Sequence, residues 1–445
     1  MGSADRSHVA LLAFPFGTHA APLLSLGLNL ASSAPHGTTF SFLSNRRPVS
    51  LPPNSAIKFY EIADGSDPEH EGHVHPEEEV RVFMEETPGN YKKALEAAVD
   101  RCGGQRVTCI VADAFLWFVG DIAAEFGVHW VPLWTGGPCS FLAHLYTDML
   151  RNKIGTGKEA DPDEDLQFLP GLSGFRVRDL PDDIVTGDLT GAFASLLHRM
   201  SIEIPRSAAA IAINTFEGLH PDIDADLASK FKKSLPIGPL NLLNPTLNQP
   251  DRFSCLAWLD KFEPHSVAYV SFGTLAALTE AELVELASGL EQSGVPFLWS
   301  LKEPGQLPAG FLDRTKDRGL VVPWVPQAEA LKHVAVGASL SHCGWNSVME
   351  SVTSGVPMLC RPFLGDQTMN ARAVSHVWKV GVTFENGTMT RANVAEAMKK
   401  VVVGEEGRKM RERAAAIREM AAGSVRPGGS SVQNFKALLD IVIAR

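Results

Sequence analysis

Residues 324–367 read WVPQAEALKHVAVGASLSHCGWNSVMESVTSGVPMLCRPFLGDQ. Within them the run Ala338–Ser341 is a candidate strand, and His342 falls at its carboxyl end. Gly344, with no Cβ, lets the backbone approach a ligand closely. Trp345, Asn346 and Ser347 then open a helix. A strand that turns tightly into a helix is a building unit of parallel α/β sheets, which bind ligands beyond the carboxyl ends of their strands. The free N–H groups and positive dipole end of a helix start suit a diphosphate, so His342, Asn346 and Ser347 are the expected phosphate contacts. Asn and Ser also serve as plain helix caps, and the surrounding pattern is what favours the ligand role.

Glu350 lies four residues beyond Asn346, on the same helical face, where a carboxylate can accept both hydroxyls of a ribose. Trp324 ends a short apolar run between prolines, which hold its indole as a rigid stacking platform for a flat base. Gln327 can add amide hydrogen bonds to that base. Asp366 and Gln367 start a further helix after Phe363-Leu364-Gly365, with polar side chains suited to sugar hydroxyls.

Outward from this segment, short apolar strands alternate with amphipathic helices along the whole chain, the mark of a parallel α/β architecture. In the first half the expected strands are His8–Phe16, Thr38–Ser44, Thr108–Ala112 and Trp130–Trp134, with helices at Ala21–Ser32, Pro76–Phe83 and Tyr91–Asp100. The second half restarts with strands Ser266–Phe272, Phe297–Leu301, Leu320–Pro323, Ala338–Ser341 and Pro357–Cys360, separated by helices such as Glu280–Gln292 and Trp345–Thr353. Leu235–Arg252, LPIGPLNLLNPTLNQPDR, is rich in Pro and Asn and reads as a linker. At 445 residues the chain accommodates two domains of about 200 residues each. The expected division is 1–238, a linker at 239–253, 254–425, and a final helical segment at 426–445: two Rossmann-like domains with parallel sheets facing a cleft.

The net charge of −11 and the lack of a basic stripe argue against nucleic-acid binding. Six cysteines without CxxC pairs or metal-ligand spacing read as reduced core thiols in a cytoplasmic protein. The apolar stretch after His8 is too short to span a bilayer and contains a proline, so no stable membrane insertion is expected. Met1-Gly2 is not followed by the Ser or Thr of a myristoylation pattern, since Arg6 stands there. Asn386-Gly387-Thr388 fits a glycosylation sequon but reads as a turn. The chain lacks a G-x-x-x-x-G-K phosphate loop and a G-x-G-x-x-G turn after its first strand, which disfavours a nucleoside triphosphatase or a nicotinamide dehydrogenase.

His19 follows the first strand, and Asp113 follows the strand Cys109–Ala112. Two residues at the tips of neighbouring parallel strands can meet at the sheet edge. A His–Asp pair there makes a general base, the carboxylate fixing the tautomer and stabilising the imidazolium. A serine hydrolase would need a G-x-S-x-G elbow, and Gly171-Leu172-Ser173-Gly174 is one residue short. His70, His73 and His75 follow no metal-ligand spacing, and no metal is expected. Phe14, Phe115, Trp134, His144 and Phe193 are candidates for an apolar pocket.

The segment 324–367 as a whole closely resembles the donor signature of plant UDP-dependent family 1 glycosyltransferases. The runs Pro15-Phe16-Gly17-Thr18-His19, Ala112-Asp113-Ala114-Phe115, Trp134-Thr135-Gly136-Gly137-Pro138, Phe168–Ser173 and Arg178-Asp179-Leu180-Pro181 extend the likeness over nearly the whole chain, nearest to flavonoid and anthocyanidin 3-O-glucosyltransferases. The resemblance implies a GT-B fold whose C-terminal helix returns to the first domain, an acceptor site in that domain, and a UDP-sugar site in the second. It assigns Trp324 and Gln327 to uracil, with Val325 beside them, and Glu350 to ribose. His342, Gly344, Trp345, Asn346 and Ser347 go to the diphosphate end. Thr135 would touch the sugar, and Thr18 and Thr274 the phosphate or sugar region. Gln367 at the end of the signature, with Trp345 inside it, goes with UDP-glucose, where His would go with galactose.

The implied reaction is inverting transfer of glucose from UDP-glucose, a co-substrate rather than a cofactor, to a hydroxyl of a flavonol or anthocyanidin, most simply the 3-hydroxyl. His19 and Asp113 act as the base, and a monomer suffices. His144 would contact the flavonoid. Leu364 stands where the family carries Phe, and Glu77 near where an amide meets the acceptor, so the acceptor wall differs at two places. Transfer to carbon or to another phenol, use of UDP-galactose, and a silent UDP-sugar-binding protein remain the alternatives.

Overall fold

Strand β1 (His8–Leu12) is buried along its whole length, as a central strand covered by helices on both faces must be. The structure, a computed structural model, describes residues 7–45, 48, 51, 55–63, 76–185, 188–243, 250–273, 278–384 and 387–444, with only the backbone of Pro76, Glu77 and Lys158. The first of two units comprises residues 1–161, 182–244 and 424–445, and the second 162–181 and 245–423.

In the first unit β1 is joined by β2 (Thr39–Ser44), β3 (Ile57–Glu61), β4 (Cys109–Asp113), β5 (His129–Trp134), β6 (Ile211–Ile213) and β7 (Ser234–Pro236). Among the described residues they form a seven-stranded parallel sheet in the order β3-β2-β1-β4-β5-β6-β7. The strand order reverses between β1 and β4, where Val9–Leu12 pair with Cys109–Ala112. Such a reversal opens a crevice beyond the carboxyl ends of the two strands.

The second unit repeats the plan with β8 (Val267–Ser271), β9 (Phe297–Ser300), β10 (Gly319–Val322), β11 (Val336–Ser341), β12 (Met358–Cys360) and β13 (Gly381–Thr383), in the order β10-β9-β8-β11-β12-β13. Its reversal lies between β8 and β11, whose last residues Ser271 and Ser341 are paired. Both units are Rossmann-like.

The C-terminal helix Ser430–Ile443 packs onto the first unit. Leu438 and Val442 are fully buried in one core with Val9, Leu11, Val111 and Leu235, and the Ser431 hydroxyl donates to the Gly238 carbonyl.

The structure departs from the sequence expectations in four places. Pro76–Phe83 and Tyr91–Asp100 are one helix, Pro76–Arg101, which runs through Pro88. Val80, Phe83, Thr87, Tyr91, Leu95 and Ala98 form one buried stripe at spacings of three and four. Burying that many side chains, at about 1.5–3 kcal/mol for each large apolar one, outweighs the roughly 3 kcal/mol cost of an interior proline. The strands β3, β6, β7 and β13, all towards the sheet edges, were not anticipated. Three of them are only three residues long, and β3 buries only Ile57 and Tyr60, without strict alternation. Part of the expected linker, Leu235–Pro236, lies in β7, and Leu240–Leu243 is a short helix. Residues 162–181, expected inside the first domain, belong to the second unit: Arg372 donates to the Gly174 carbonyl and pairs with Asp179. Among the described residues no helix is long and apolar enough to cross a membrane.

Candidate active site

In the first unit the ends of β1, β4 and β5 bring three polar residues together. His19 immediately precedes the helix Ala20–Ser33, Asp113 closes β4, and Thr135 follows β5. The Asp113 carboxylate is 1% exposed. Its Oδ2 lies 2.9 Å from His19 Nδ1, and its Oδ1 accepts the Phe115 N–H at 2.9 Å. The Thr135 hydroxyl lies 3.1 Å from the same His19 nitrogen. A buried carboxylate against Nδ1 favours the hydrogen there, which leaves Nε2 as the basic nitrogen.

The imidazole sits between aromatic rings, with centroids 5.3 Å from Phe14 and 4.5 Å from Phe115. Phe115 continues to Trp134 at 5.8 Å, and Trp134 to His144 at 6.2 Å. Phe83 of the long helix meets Phe14 edge-on at 5.7 Å, so the helix through Pro88 buttresses this loop. His144 is buried, its Nδ1 3.6 Å from Asp183 Oδ2. Phe14, Phe115, Trp134 and His144 thus form one chain of rings beside His19. Phe193 is 38% exposed on the helix Ala192–Ser207, and none of the described ring contacts joins it to that chain. Thr18 is exposed in the loop before His19.

In the second unit Trp324 is 44% exposed, unusual for so large an apolar ring, and is open for stacking. Val325 beside it is buried in a core with Ala330 and Leu331, so only its backbone can meet a ligand. Gln327 begins the helix Gln327–Lys332. Its Oε1 accepts from the Tyr269 hydroxyl at 3.0 Å, while its Nε2 donates to Glu350 Oε2 and, at 3.4 Å, to Ser347 Oγ. Burial raises the Glu350 carboxyl above its ordinary pKa, and the Gln327 amide partly offsets this.

His342 stands at the end of β11, in a pocket shaped by two glycines. A Cβ on Gly344 would come within 2.5 Å of His342 Nε2, and one on Gly273 within 2.9 Å of the ring. Gly273 has φ +73 and Cys343 φ +64, so the backbone folds tightly around the imidazole. The helix Trp345–Ser354 starts at this point with Gly344 as its cap and no side-chain capping bond. Trp345 is buried with its ring 6.4 Å from Trp378, so its position at the helix start offers a ligand the backbone rather than the indole. Asn346 and Ser347 occupy the same first turn.

Asp366 caps the helix Gln367–Arg372. Gln367 Oε1 accepts the Phe363 and Leu364 N–H groups at 2.9 and 3.3 Å, which turns its amide nitrogen away from its own backbone. Leu364 is 65% exposed. Thr274, the Glu77 side chain, and His70, His73 and His75 lie outside the described residues.

Two members of this second cluster went unrecognised in the sequence. Tyr269 carries a phenolic hydroxyl in the middle of a strand whose other residues up to Val270 are apolar, a usable signal. Fully buried Asn370 donates to the Cys343 carbonyl and to Asp366, both at 3.0 Å, and nothing in its helix flags that role.

Burial lowers the His342 pKa to about 4. Its Nδ1 is buried without a hydrogen-bond partner among the described residues. The imidazole is therefore neutral near pH 7. A diphosphate bound at this imidazole, as the sequence resemblance implies, would favour the imidazolium, so the pKa in such a complex would lie above the free value. UDP affinity should gain a component that grows as pH falls through the complexed value and levels off below about 4. Calorimetric titrations between pH 7.5 and pH 5 should show proton uptake on UDP binding that His342→Gln removes. Equal uptake in both proteins would contradict this.

Residues 30–411 match the family described as UDP-glucoronosyl and UDP-glucosyl transferase. A myricetin 3-O-rhamnosyltransferase of Crocosmia x crocosmiiflora is 49% identical, covering 99% of both chains. An anthocyanidin 3-O-glucosyltransferase of Zea mays is 47% identical, covering 99% of this chain and 98% of its own. A crystal structure of UDP-glucose:anthocyanidin 3-O-glucosyltransferase in complex with UDP superposes with a TM-score of 0.91 at 37% identity, over 99% of this chain and 100% of that one.

Proposed function

Because the chain belongs to the UDP-glucoronosyl and UDP-glucosyl transferase family and is a UDP-glycosyltransferase, we propose that it transfers glucose from UDP-glucose to the 3-hydroxyl of a flavonol or anthocyanidin. The observation that carries the acceptor half is the His19–Asp113 pair at 2.9 Å, set among the rings of Phe14 and Phe115. A flat phenol lying along these rings brings its hydroxyl to His19 Nε2. The base takes the proton, and Asp113 stabilises the imidazolium that forms. The oxygen attacks the anomeric carbon opposite the leaving UDP, so an α-linked donor gives a β-linked product.

On the donor side Trp324 stacks on uracil, Glu350 accepts the ribose hydroxyls, and His342 with the first turn of Trp345–Ser354 holds the diphosphate. This reading needs no metal, since the helix start and His342 supply the groups that meet the departing charge. Asp366 and the amide nitrogen of Gln367 take the sugar hydroxyls. The likeness to 3-O-glucosyltransferases and the UDP-bound relative supports this reading.

The similar rhamnosyltransferase makes the sugar the point to test. Transfer rates from UDP-glucose, UDP-galactose and UDP-rhamnose to one flavonol should favour UDP-glucose. Gln367→His should raise the galactose-to-glucose ratio by about tenfold, the scale of one or two altered hydrogen bonds. An unchanged ratio would remove the basis of the donor assignment, and faster transfer from UDP-rhamnose would replace it.

A further inference from the structure

We propose that Tyr269 is a positioning residue for nucleotide recognition, aiming Glu350 at the ribose through the amide of Gln327. The inference rests on Glu350 as the ribose acceptor. Tyr269 lies on β8, paired with Ser339 of β11, and its side chain is 3% exposed. Its hydroxyl donates to Gln327 Oε1 at 3.0 Å.

A primary amide can present either end to a neighbour. A phenol donating to one end selects the oxygen, so the nitrogen must face the other way. There Gln327 Nε2 donates to Glu350 Oε2 and reaches Ser347 Oγ at 3.4 Å. With the amide reversed, its oxygen would oppose the carboxylate and push it out of place. Burial holds the Tyr269 phenol in its protonated, donating form. The chain Tyr269–Gln327–Glu350 therefore passes orientation from a rigid central strand to a carboxylate at the ligand. A side chain that only filled the core would carry no such directional information.

Loss of the hydroxyl should affect recognition of the ribose and leave the rest of the nucleotide alone. The test is calorimetric binding of UDP and of 2′-deoxy-UDP to the full chain, the Tyr269→Phe variant and the Glu350→Gln variant. The wild type should prefer UDP. Tyr269→Phe should reduce that preference about fivefold, the scale of one net hydrogen bond, with 2′-deoxy-UDP affinity unchanged. Equal weakening towards both nucleotides, with the preference kept, would reduce Tyr269 to a packing role and overturn the proposal. If Glu350→Gln keeps the full preference, the ribose assignment itself fails, whatever Tyr269 does. If Glu350→Gln loses it and Tyr269→Phe does not, only the positioning role fails. Should Tyr269→Phe fold poorly, Gln327→Met breaks the same chain one link later and must lower the preference for UDP over 2′-deoxy-UDP by a similar factor, whatever it costs in uracil binding common to both nucleotides.

Discussion

His19→Ala should lower kcat/KM for glucosyl transfer by about 10³-fold, within the usual span for loss of a general base, while UDP binding stays as in the wild type. The two effects separate because the imidazole and the proposed donor residues belong to different units of the fold. His19 is joined to Asp113 and Thr135 in the first unit, whereas Trp324, Glu350 and His342 lie in the second. A flavonoid hydroxyl is a poor nucleophile until it loses its proton, and the lost base matters less as the acceptor becomes more acidic. The rate deficit of His19→Ala should therefore shrink for acceptors with more acidic hydroxyls. Steady-state rates across a series of phenols, with parallel UDP titrations, check both parts. Turnover retained by the alanine variant would sink the assignment of His19.

Asp113→Asn should be at least as damaging, with a fall in kcat of about 10³–10⁴, because it puts the histidine in the wrong tautomer without removing it. Asn can keep the bond that Asp113 Oδ1 now accepts from the Phe115 N–H. That orientation turns the amide nitrogen, a donor, towards His19 Nδ1, where Oδ2 now sits at 2.9 Å. Nδ1 must then act as an acceptor, so the proton moves to Nε2, the nitrogen the reaction needs free. The variant should fold normally, since the substitution is nearly isosteric at a site 1% exposed. Kinetics beside a thermal melt would test this. A wild-type kcat in a well-folded Asn variant would show that Asp113 does not set the tautomer.

Most of the architecture was legible because parallel sheets covered on both faces write their central strands as plain apolar runs. β1, β4, β5, β8 and β11 were all anticipated, and with them the two crevices where His19, Asp113 and His342 sit. The edge strands β3, β7 and β13, and β6 beside β7, were not, because a run such as Gly381–Thr383 buries too little to stand out. Pro88 misled for a related reason: local propensity argues for a break, and the buried stripe from Val80 to Ala98 that overrides it becomes visible only once both segments are read on one helical face. Within the candidate site, the strand–helix alternation placed His19, Asp113 and His342 at or just beyond strand ends, as the structure has them, while their assignment to a site came from the family resemblance. The network linking Tyr269, Gln327 and Glu350 was not legible, since it depends on side chains from three elements separated by up to 81 residues (269 to 350) and on which end of an amide faces which neighbour. Phe193 shows the converse, an aromatic residue placed with the pocket by type and found apart from its ring chain.

The most direct test incubates the full chain with UDP-glucose and a flavonol bearing a free 3-hydroxyl, and determines the product by mass and by NMR of the anomeric centre and linkage position. Inverting transfer at the 3-hydroxyl predicts a β-linked 3-O-glucoside that acid hydrolysis returns to flavonol and glucose. An α-linked product, an acid-resistant carbon-linked glucoside, or UDP binding without any transfer would contradict it.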